Sequence, residues 1–300
     1  MNGISRLRSG GGLSIIFRTL ILFVLFGDAA AAFAQSESAA SGMAEVGGGR
    51  LYYEIAGKGR TVVFIHGGLA DSRVWDDQFK KFSKHFRVLR YDLRGFNRSD
   101  SATASFSHVD DLHALLKFLK IERASLVGLS LGGIIAADFA LEHPEMVEKL
   151  VLSASGLRGD KAPRSAQSIA VYKAAEEKGM KTAIEMWMRH PFFAADGGTD
   201  SKFRRRSERM LADNYKYWGP TPEPIPLRWS KYLTIDRLSE IKAPALVVIG
   251  DRDLPELIAI SDTLAAKIGG AKKEIIKGVS HHLNMEKPRE YNRIVLEFLK

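Results

Sequence analysis

The residue best placed to do chemistry is Ser130, which lies in a Gly-x-Ser-x-Gly motif at 128–132. A short apolar run precedes the motif, and an apolar helical pattern at 134–141 follows it. A serine between a strand and a helix lies on a very tight turn, whose strained backbone lifts the hydroxyl clear of the sheet. Glycine is expected at 128 and 132 because a Cβ there would collide with the neighbouring turn. The pattern therefore predicts a nucleophilic serine rather than a chance glycine-rich turn.

A serine hydroxyl is a weak nucleophile and needs a base that takes its proton during attack. The histidines after Ser130 are His143, His190, His281 and His282. His143 falls at the end of the helix that follows the serine, where a surface position is expected, and His190 suits a surface or a pocket wall. His281 and His282 come just beyond the last predicted strand, at the end of the sheet where such sheets bind ligands. The base is therefore expected in this pair.

A catalytic base of this kind needs an acid that orients the imidazole and stabilises its charged form. Asp251 and Asp253 both follow the predicted strand that ends at Ile249. Asp236 begins a helical pattern and is typical of a first-turn charge. The residues alone leave Asp251 and Asp253 both open.

Strands and helices alternate along the chain in a way that positions these residues. Almost unbroken apolar runs predict strands buried on both faces, as in a parallel sheet, at 61–65, 86–91, 150–153, 245–250 and 274–276. Helical patterns lie between and after them, including 107–120, which starts with a capping-box variant, and 288–299, which starts with proline. The alternation predicts an α/β fold with a mostly parallel central sheet and helices on both faces.

Five motifs in order along the chain resemble those of the α/β-hydrolases, and the resemblance runs from about residue 51 to 300. They are the oxyanion loop His66-Gly67-Gly68, the Asp-x-Arg-Gly loop at 91–100, the nucleophile elbow at 128–133, the acid loop at 250–253 and the His-x-x-x-x-Glu-x-Pro loop at 281–288. Asn97 stands where the family usually has glycine, but asparagine tolerates left-handed geometry. The Gly-Leu-Ser-Leu-Gly-Gly elbow and the placement of an inserted helical lid, expected at 156–233, are most similar to small esterase, enol-lactonase and perhydrolase-like members.

The resemblance implies a Ser-His-Asp catalytic triad. The family spacing from histidine to glutamate selects His281 as base, because Glu286 then falls in place. The family places the acid three residues after the glycine, which gives Asp253, and Asp251 is then expected to hydrogen-bond its own loop. Asp92 also follows a strand, but it precedes Ser130 and its motif is usually structural.

A tetrahedral intermediate needs backbone N–H donors for its oxyanion. One is expected from Leu131, immediately after the nucleophile, and the family pattern points to Gly68 for the other. Glycine at 68 lets the substrate approach the backbone closely, and Leu69 is a candidate for the pocket wall. His66 is expected to be a structural, hydrogen-bonded histidine. No cofactor and no metal ion are expected.

The resemblance implies hydrolysis of a carboxylic ester or lactone through an acyl-enzyme on Ser130. Another reaction of the same triad stays open, such as carbon–carbon bond hydrolysis, peptide release or acyl transfer. A ligand-binding member of the fold without turnover stays open as well. Proline-specific peptidases usually continue the oxyanion loop as Gly-Gly-Pro-Gly, whereas this chain has Gly67-Gly68-Leu69-Ala70. Dehalogenases and epoxide hydrolases of this fold need an aspartate at the elbow. The serine at 130 therefore argues against both classes.

The chain is expected to divide into a secretory signal at 1–34, an α/β-hydrolase core at 35–155 and 234–300, and a helical lid at 156–233. Helical patterns within the lid fall at 166–178, 181–189 and 201–217, and the proline-rich stretch 219–226 is typical of a stiff return arm. The lid is rich in large apolar side chains, most of which are expected to pack on the core while some line a pocket; they are Met186, Trp187, Met188, Phe192, Phe193, Trp218 and Trp229.

The first residues have the three parts of a secretory signal, namely a basic start, a short apolar run at 19–26 and Ala32-Phe33-Ala34. This predicts cleavage after Ala34 and a periplasmic or secreted enzyme, with an uncleaved N-terminal anchor as the alternative. Residues 35–49, rich in serine, alanine and glycine, are expected to form a loose mature N-terminus.

Composition excludes several classes of site. The 300 residues include no cysteine, so disulfides, a cysteine nucleophile and a thiolate metal site are impossible.

The formal net charge is +9. The densest basic run, 202–209, is typical of a solvated helix face, and no nucleic-acid motif lies beside it. The expected partner is a small-molecule ester or lactone, with no nucleic acid and no stable membrane insertion after signal cleavage. The oligomeric state stays open.

Overall fold

The computed structural model describes residues 39–161, 166–193, 201–218 and 227–300. The predicted signal at 1–34 and the predicted return arm at 219–226 lie outside these residues. Within the described part of the chain, none of the helices has the length and apolar character needed to cross a membrane.

An eight-stranded sheet forms the centre of the described residues. Its strands in chain order are β1 (Ala40–Val46), β2 (Gly49–Ala56), β3 (Thr61–Ile65), β4 (Arg87–Tyr91), β5 (Ala124–Leu129), β6 (Val147–Ser153), β7 (Ala245–Gly250) and β8 (Lys272–Ile276). They lie side by side in the order β1-β2-β4-β3-β5-β6-β7-β8. The two pairings that involve β2 are antiparallel and the others are parallel, so the prediction of a mostly parallel sheet is confirmed.

Helices connect and cover the strands. They are α1 (Asp76–Phe82), α2 (His108–Phe118), α3 (Leu131–Glu142), α4 (Ala166–Lys178), α5 (Met180–Trp187), α6 (Lys202–Asp213), α7 (Tyr215–Trp218), α8 (Thr234–Arg237), α9 (Pro255–Lys267), α10 (Leu283–Glu286) and α11 (Pro288–Leu299). Helix α2 begins after Ser107, whose Oγ accepts hydrogen bonds from the N–H groups of Val109 and Asp110. This confirms Ser107 as the cap, whereas the carboxylate of Asp110 pairs with Arg228.

Two apolar cores flank the sheet, because alternate residues of a strand point to opposite faces. Val62 and Phe64 of β3 pack with α1 and α11 in one core, and Val63 and Ile65 pack with α2, α3 and α9 in the other. Helices therefore cover both faces, as predicted.

The N-terminal strand corrects the expectation of a loose segment at 35–49. Residues 40–46 pair along their whole length with β2, and Ala44 is fully buried. Gly47 and Gly48 both have positive φ, which is the geometry of a two-residue hairpin turn. A small-residue composition resembles a linker, but the neighbouring strand supplies the hydrogen bonds that order it.

The expectation of burial on both faces is wrong for the last strand. β8 lies at the edge of the sheet, and Ile275 is 45% exposed. An apolar run indicates a strand, but only the strand order decides which strand has a neighbour on each side.

Helices α4 to α7 follow the three helical patterns predicted between β6 and β7. The division of the chain into core and lid stays a prediction.

Candidate active site

Ser130 lies between β5 and α3 with φ 54° and ψ −111°, the strained backbone that the motif predicts. A Cβ at Gly128 would lie 2.2 Å from the carbonyl oxygen of Gly132, so this turn tolerates only glycine. A Cβ at Gly132 would lie 2.2 Å from the carbonyl oxygen of Ile65. This second collision is with β3, not with the turn itself as expected, and glycine there lets α3 start close against the sheet.

The side chain of Ser130 faces a cavity of about 540 Å³. His281, from the loop after β8, lines the same cavity, together with Gly67 and Gly68 after β3. These residues follow the carboxyl ends of their strands, so the parallel sheet gathers them at one edge.

Asp253 and His281 are in direct contact. The Nδ1–H of His281 donates a 2.9 Å hydrogen bond to Oδ2 of Asp253, and both side chains are buried. The other carboxylate oxygen of Asp253 accepts from the N–H of Leu254 at 2.8 Å. With Nδ1 donating, Nε2 of His281 carries the free lone pair, as a general base requires.

Asp251 has a different partner. Its Oδ1 accepts a 2.5 Å hydrogen bond from the N–H of Gly278, in the loop after β8. It therefore ties two loops together instead of closing its own loop as expected, and the structure brings Asp253, not Asp251, to His281.

Glu286 holds the loop that carries His281. Its carboxylate accepts from the N–H and the Oγ of Ser280 and from the N–H of His282. Burial raises the pKa of Glu286 despite these hydrogen bonds. The family glutamate therefore fixes the residues on both sides of His281.

The other histidines after Ser130 have different surroundings. The Nδ1–H of His282 donates to the carbonyl oxygen of Phe192, and burial lowers the pKa of His282 to about 3. His190 is buried as well, not on a surface, and burial lowers its pKa to about 4. His143 is half-buried at the end of α3, where its ring stacks on His113 at 4.2 Å.

His66 has the structural role that the sequence predicts. Its Nδ1–H donates to the carbonyl oxygen of Gly67 at 2.8 Å, and its Nε2 accepts from the N–H of Leu93 at 2.9 Å. Complete burial lowers the pKa of His66. The neutral ring therefore joins the loop after β3 to the loop after β4.

Asp92 is also structural, as expected. Its carboxylate accepts from the N–H of Ser72, from Nδ2 of Asn97 and from Nε of Arg98. Asn97 has φ 41°, so this departure from glycine does adopt the left-handed conformation.

The two predicted oxyanion donors, Gly68 and Leu131, both line the cavity beside Ser130. Leu131 is the first residue of α3, so its N–H has no acceptor within the helix. A Cβ at Gly68 would lie 3.7 Å from Cδ2 of Leu131, which shows how closely the two loops approach. Leu69 lines the cavity too.

Aromatic side chains from the segment between β6 and β7 form much of the remaining wall. Of the large apolar residues noted in the sequence, Trp187, Phe192 and Trp218 line the cavity, while Met188 and Phe193 pack in the core. Trp229 instead lies beside the ring of His108 and the guanidinium group of Arg158.

The sequence analysis missed three residues of the cavity wall, Tyr172, Tyr217 and Leu257. Their only signal was an apolar or aromatic side chain within a helical pattern.

The basic run at 202–209 is only partly a solvated face. Lys202 and Arg209 of α6 are exposed, but Arg206 pairs with Asp76 and Asp77 of α1. This pairing ties α6 to the helix layer of the sheet.

The chain belongs to the alpha/beta hydrolase family, whose model matches residues 62–294. It is similar to 2-hydroxy-6-oxo-6-phenylhexa-2,4-dienoate hydrolase of Comamonas testosteroni, at 28% identity over 83% of this chain and 91% of the relative. It is also similar to 2-hydroxy-6-oxononadienedioate/2-hydroxy-6-oxononatrienedioate hydrolase of Burkholderia vietnamiensis, at 30% identity over 84% of this chain and 91% of the relative.

Solved structures agree with this assignment. The enol-lactonase from Burkholderia xenovorans LB400 has a TM-score of 0.72 and 26% identity, over 86% of this chain and 99% of that one. Est816, an N-acyl homoserine lactone degrading enzyme, has a TM-score of 0.70 and 28% identity, over 86% of this chain and 100% of that one. The protein is a hydrolase of this family.

Proposed function

We propose that this hydrolase cleaves a neutral carboxylic ester or lactone through an acyl-enzyme on Ser130, with His281 as base and Asp253 as acid. The observation that carries the proposal is the 2.9 Å hydrogen bond from His281 to Asp253, made by an imidazole that lines the same cavity as Ser130.

In the first half-reaction the Oγ of Ser130 attacks the ester carbonyl carbon while Nε2 of His281 takes the hydroxyl proton. Asp253 stabilises the imidazolium that forms. The tetrahedral intermediate then collapses, its bond to the leaving oxygen breaks, and His281 gives its proton to that oxygen. A lactone keeps its alcohol tethered to the acyl group, whereas an ester releases it.

In the second half-reaction water attacks the acyl carbon, and His281 again takes and returns the proton. In both halves the N–H groups of Gly68 and Leu131 stabilise the negative oxygen. The positive end of α3, which starts at Leu131, adds to this stabilisation. Hydrolysis is then complete with Ser130 and His281 in their starting forms.

The charge of the cavity favours a neutral substrate. Among the described residues that line it, none is lysine or arginine, and the charged carboxylates are Asp160 and Glu256. Taking a substrate carboxylate out of water is costly unless a cation or several donors compensate it. The cavity is better suited to an uncharged acyl group.

Carbon–carbon bond hydrolysis is the second candidate, and the similarity to the hydrolases of Comamonas testosteroni and Burkholderia vietnamiensis favours it. The same triad would serve, but the names of those relatives specify substrates that carry carboxylates. The lack of a lysine or arginine among the described lining residues argues for the ester reaction instead.

The test compares three substrates on purified enzyme, namely neutral 4-nitrophenyl butyrate, the anionic ester 4-nitrophenyl hemisuccinate, and 2-hydroxy-6-oxo-6-phenylhexa-2,4-dienoate. We expect kcat/KM to be highest for the neutral ester, by about tenfold or more over the anionic ester. A tenfold ratio corresponds to a difference of about 1.4 kcal/mol in free energy.

The Ser130→Ala variant tests the nucleophile. The folded variant should lose ester turnover by about 10⁴-fold or more. Unchanged turnover in that variant would overturn the mechanism, and a preference for the dienoate would transfer the assignment to carbon–carbon hydrolysis.

A further inference from the structure

A short turn at 190–193 packs directly on the loop at 280–282 that carries the proposed base. The carbonyl oxygen of Phe192 accepts hydrogen bonds from Oγ of Ser280 at 3.2 Å and from Nδ1 of His282 at 3.1 Å. These two donors lie on either side of His281 in the chain. The turn and the base loop are therefore joined at one backbone atom.

The ring of Phe192 covers one face of His281. The two ring centroids are 4.1 Å apart and the planes are 22° from parallel, so the rings are in van der Waals contact across their faces. Phe192 and His281 both line the cavity. Beside Phe192, Phe193 makes the equivalent stack on His282 at 4.6 Å and 25°.

The turn also has contacts on its other side. Nδ1 of His190 accepts from the N–H of Phe192 at 3.2 Å, and its Nε2 lies 3.1 Å from Oγ of Ser168 on α4. The planes of Phe192 and Trp187 are 8° from parallel with centroids 6.2 Å apart. Phe192 therefore has contacts besides those to the loop that carries His281.

We propose that Phe192 is a positioning residue for His281, which sets the plane of the imidazole so that Nε2 faces Ser130. This inference rests on the function proposed above. The bond to Cβ and the hydrogen bond to Asp253 hold one edge of the ring, and they leave the tilt of its plane to be set by other neighbours. A flat neighbour in face contact removes this freedom, and preorganised geometry of this kind is worth a large factor in rate.

The test uses Phe192→Leu, which keeps an apolar side chain but loses the flat ring, and Phe192→Tyr, which keeps the ring. With 4-nitrophenyl acetate, whose acyl group is too small to fill the cavity, kcat should fall about 10- to 100-fold in the leucine variant. The tyrosine variant should stay within about threefold of wild type. Thermal unfolding of each variant verifies that it is folded.

The decisive readout is the low-field NMR signal of the Nδ1–H of His281, whose position and sharpness report the hydrogen bond to Asp253 and therefore the placement of the imidazole. This signal should broaden or move in Phe192→Leu and persist in Phe192→Tyr. The matched control is Phe193→Leu. The ring of Phe193 faces His282 and does not line the cavity. It should shift the signals of His282 and leave kcat within about threefold of wild type.

Wild-type kcat in folded Phe192→Leu would overturn the inference. So would a lower kcat with an unchanged His281 signal, because the effect would then come from the cavity wall. The NMR measurement needs no turnover, so it separates this inference from the proposed function, which the Ser130→Ala variant and the substrate comparison test.

Discussion

Asp253 and His281 are 28 residues apart in the chain, yet Oδ2 of one lies 2.9 Å from Nδ1 of the other. They follow the neighbouring parallel strands β7 and β8, whose carboxyl ends meet at one edge of the sheet. Gly250 permits this approach, since a Cβ there would lie 2.4 Å from the carbonyl oxygen of Val279.

This contact predicts that Asp253→Asn lowers kcat by about 10⁴-fold with the fold intact, because an amide leaves the imidazole in the wrong tautomer and its cation unsupported. Steady-state ester hydrolysis measures the effect. Asp251→Asn is the matched control, because Asp251 bonds Gly278 and not His281, and it should reduce kcat far less. A reversed pair of phenotypes would mean that the wrong aspartate has been assigned.

Gly132→Ala should destabilise the protein as well as impair activity. Its Cβ would lie 2.2 Å from the carbonyl oxygen of Ile65, and backbone atoms in a sheet cannot move aside cheaply. We expect a loss of at least about 1–3 kcal/mol in the free energy of unfolding, measured by urea titration. Gly269→Ala is the control, because its Cβ would meet nothing within 4 Å. Equal stability of the two variants would contradict this account of the elbow.

Stability should fall as the pH drops from about 6.5 towards 4. Burial lowers the pKa of His108 to about 3, of His190 to about 4 and of His282 to about 3, against an ordinary value of 6.5. Below pH 6.5 the unfolded chain therefore binds protons that the folded protein does not. Each histidine adds up to about 1.4 kcal/mol per pH unit to the slope of the unfolding free energy.

His108→Leu isolates one of these three contributions. Neither ring nitrogen of His108 has a hydrogen-bond partner among the described residues, so an apolar side chain loses no such bond there. Urea titrations at several pH values between 4 and 7.5 should show a smaller pH slope in the variant than in wild type. Parallel curves would show that His108 is not buried as a neutral ring.

Signal cleavage is the remaining prediction. The basic start, the apolar run at 19–26 and Ala32-Phe33-Ala34 predict a mature chain that begins at Gln35. N-terminal sequencing of protein from the cell envelope measures this. A chain that retains 19–26 and needs detergent for extraction would instead indicate an anchored enzyme.

Features that depend on neighbours in the chain were determined by the sequence alone. The turn at Ser130 follows from glycines two residues away on each side and from the strand and helix that flank them. The start of α2 follows from Ser107, and helix α11 follows from its proline and apolar stripe. In each case the interacting groups are a few residues apart, so the spacing itself carries the information.

Only the tertiary structure decided features that depend on distant segments. The choice between Asp251 and Asp253 depended on which carboxylate meets a histidine from the next strand's loop, and the residues alone left it open until the family pattern was applied. Residues 40–46 form a strand because they pair with β2. Ile275 is exposed because β8 lies at an edge of the sheet. The stack of Phe192 on His281 joins segments about 90 residues apart through packing, whose partners no local spacing specifies.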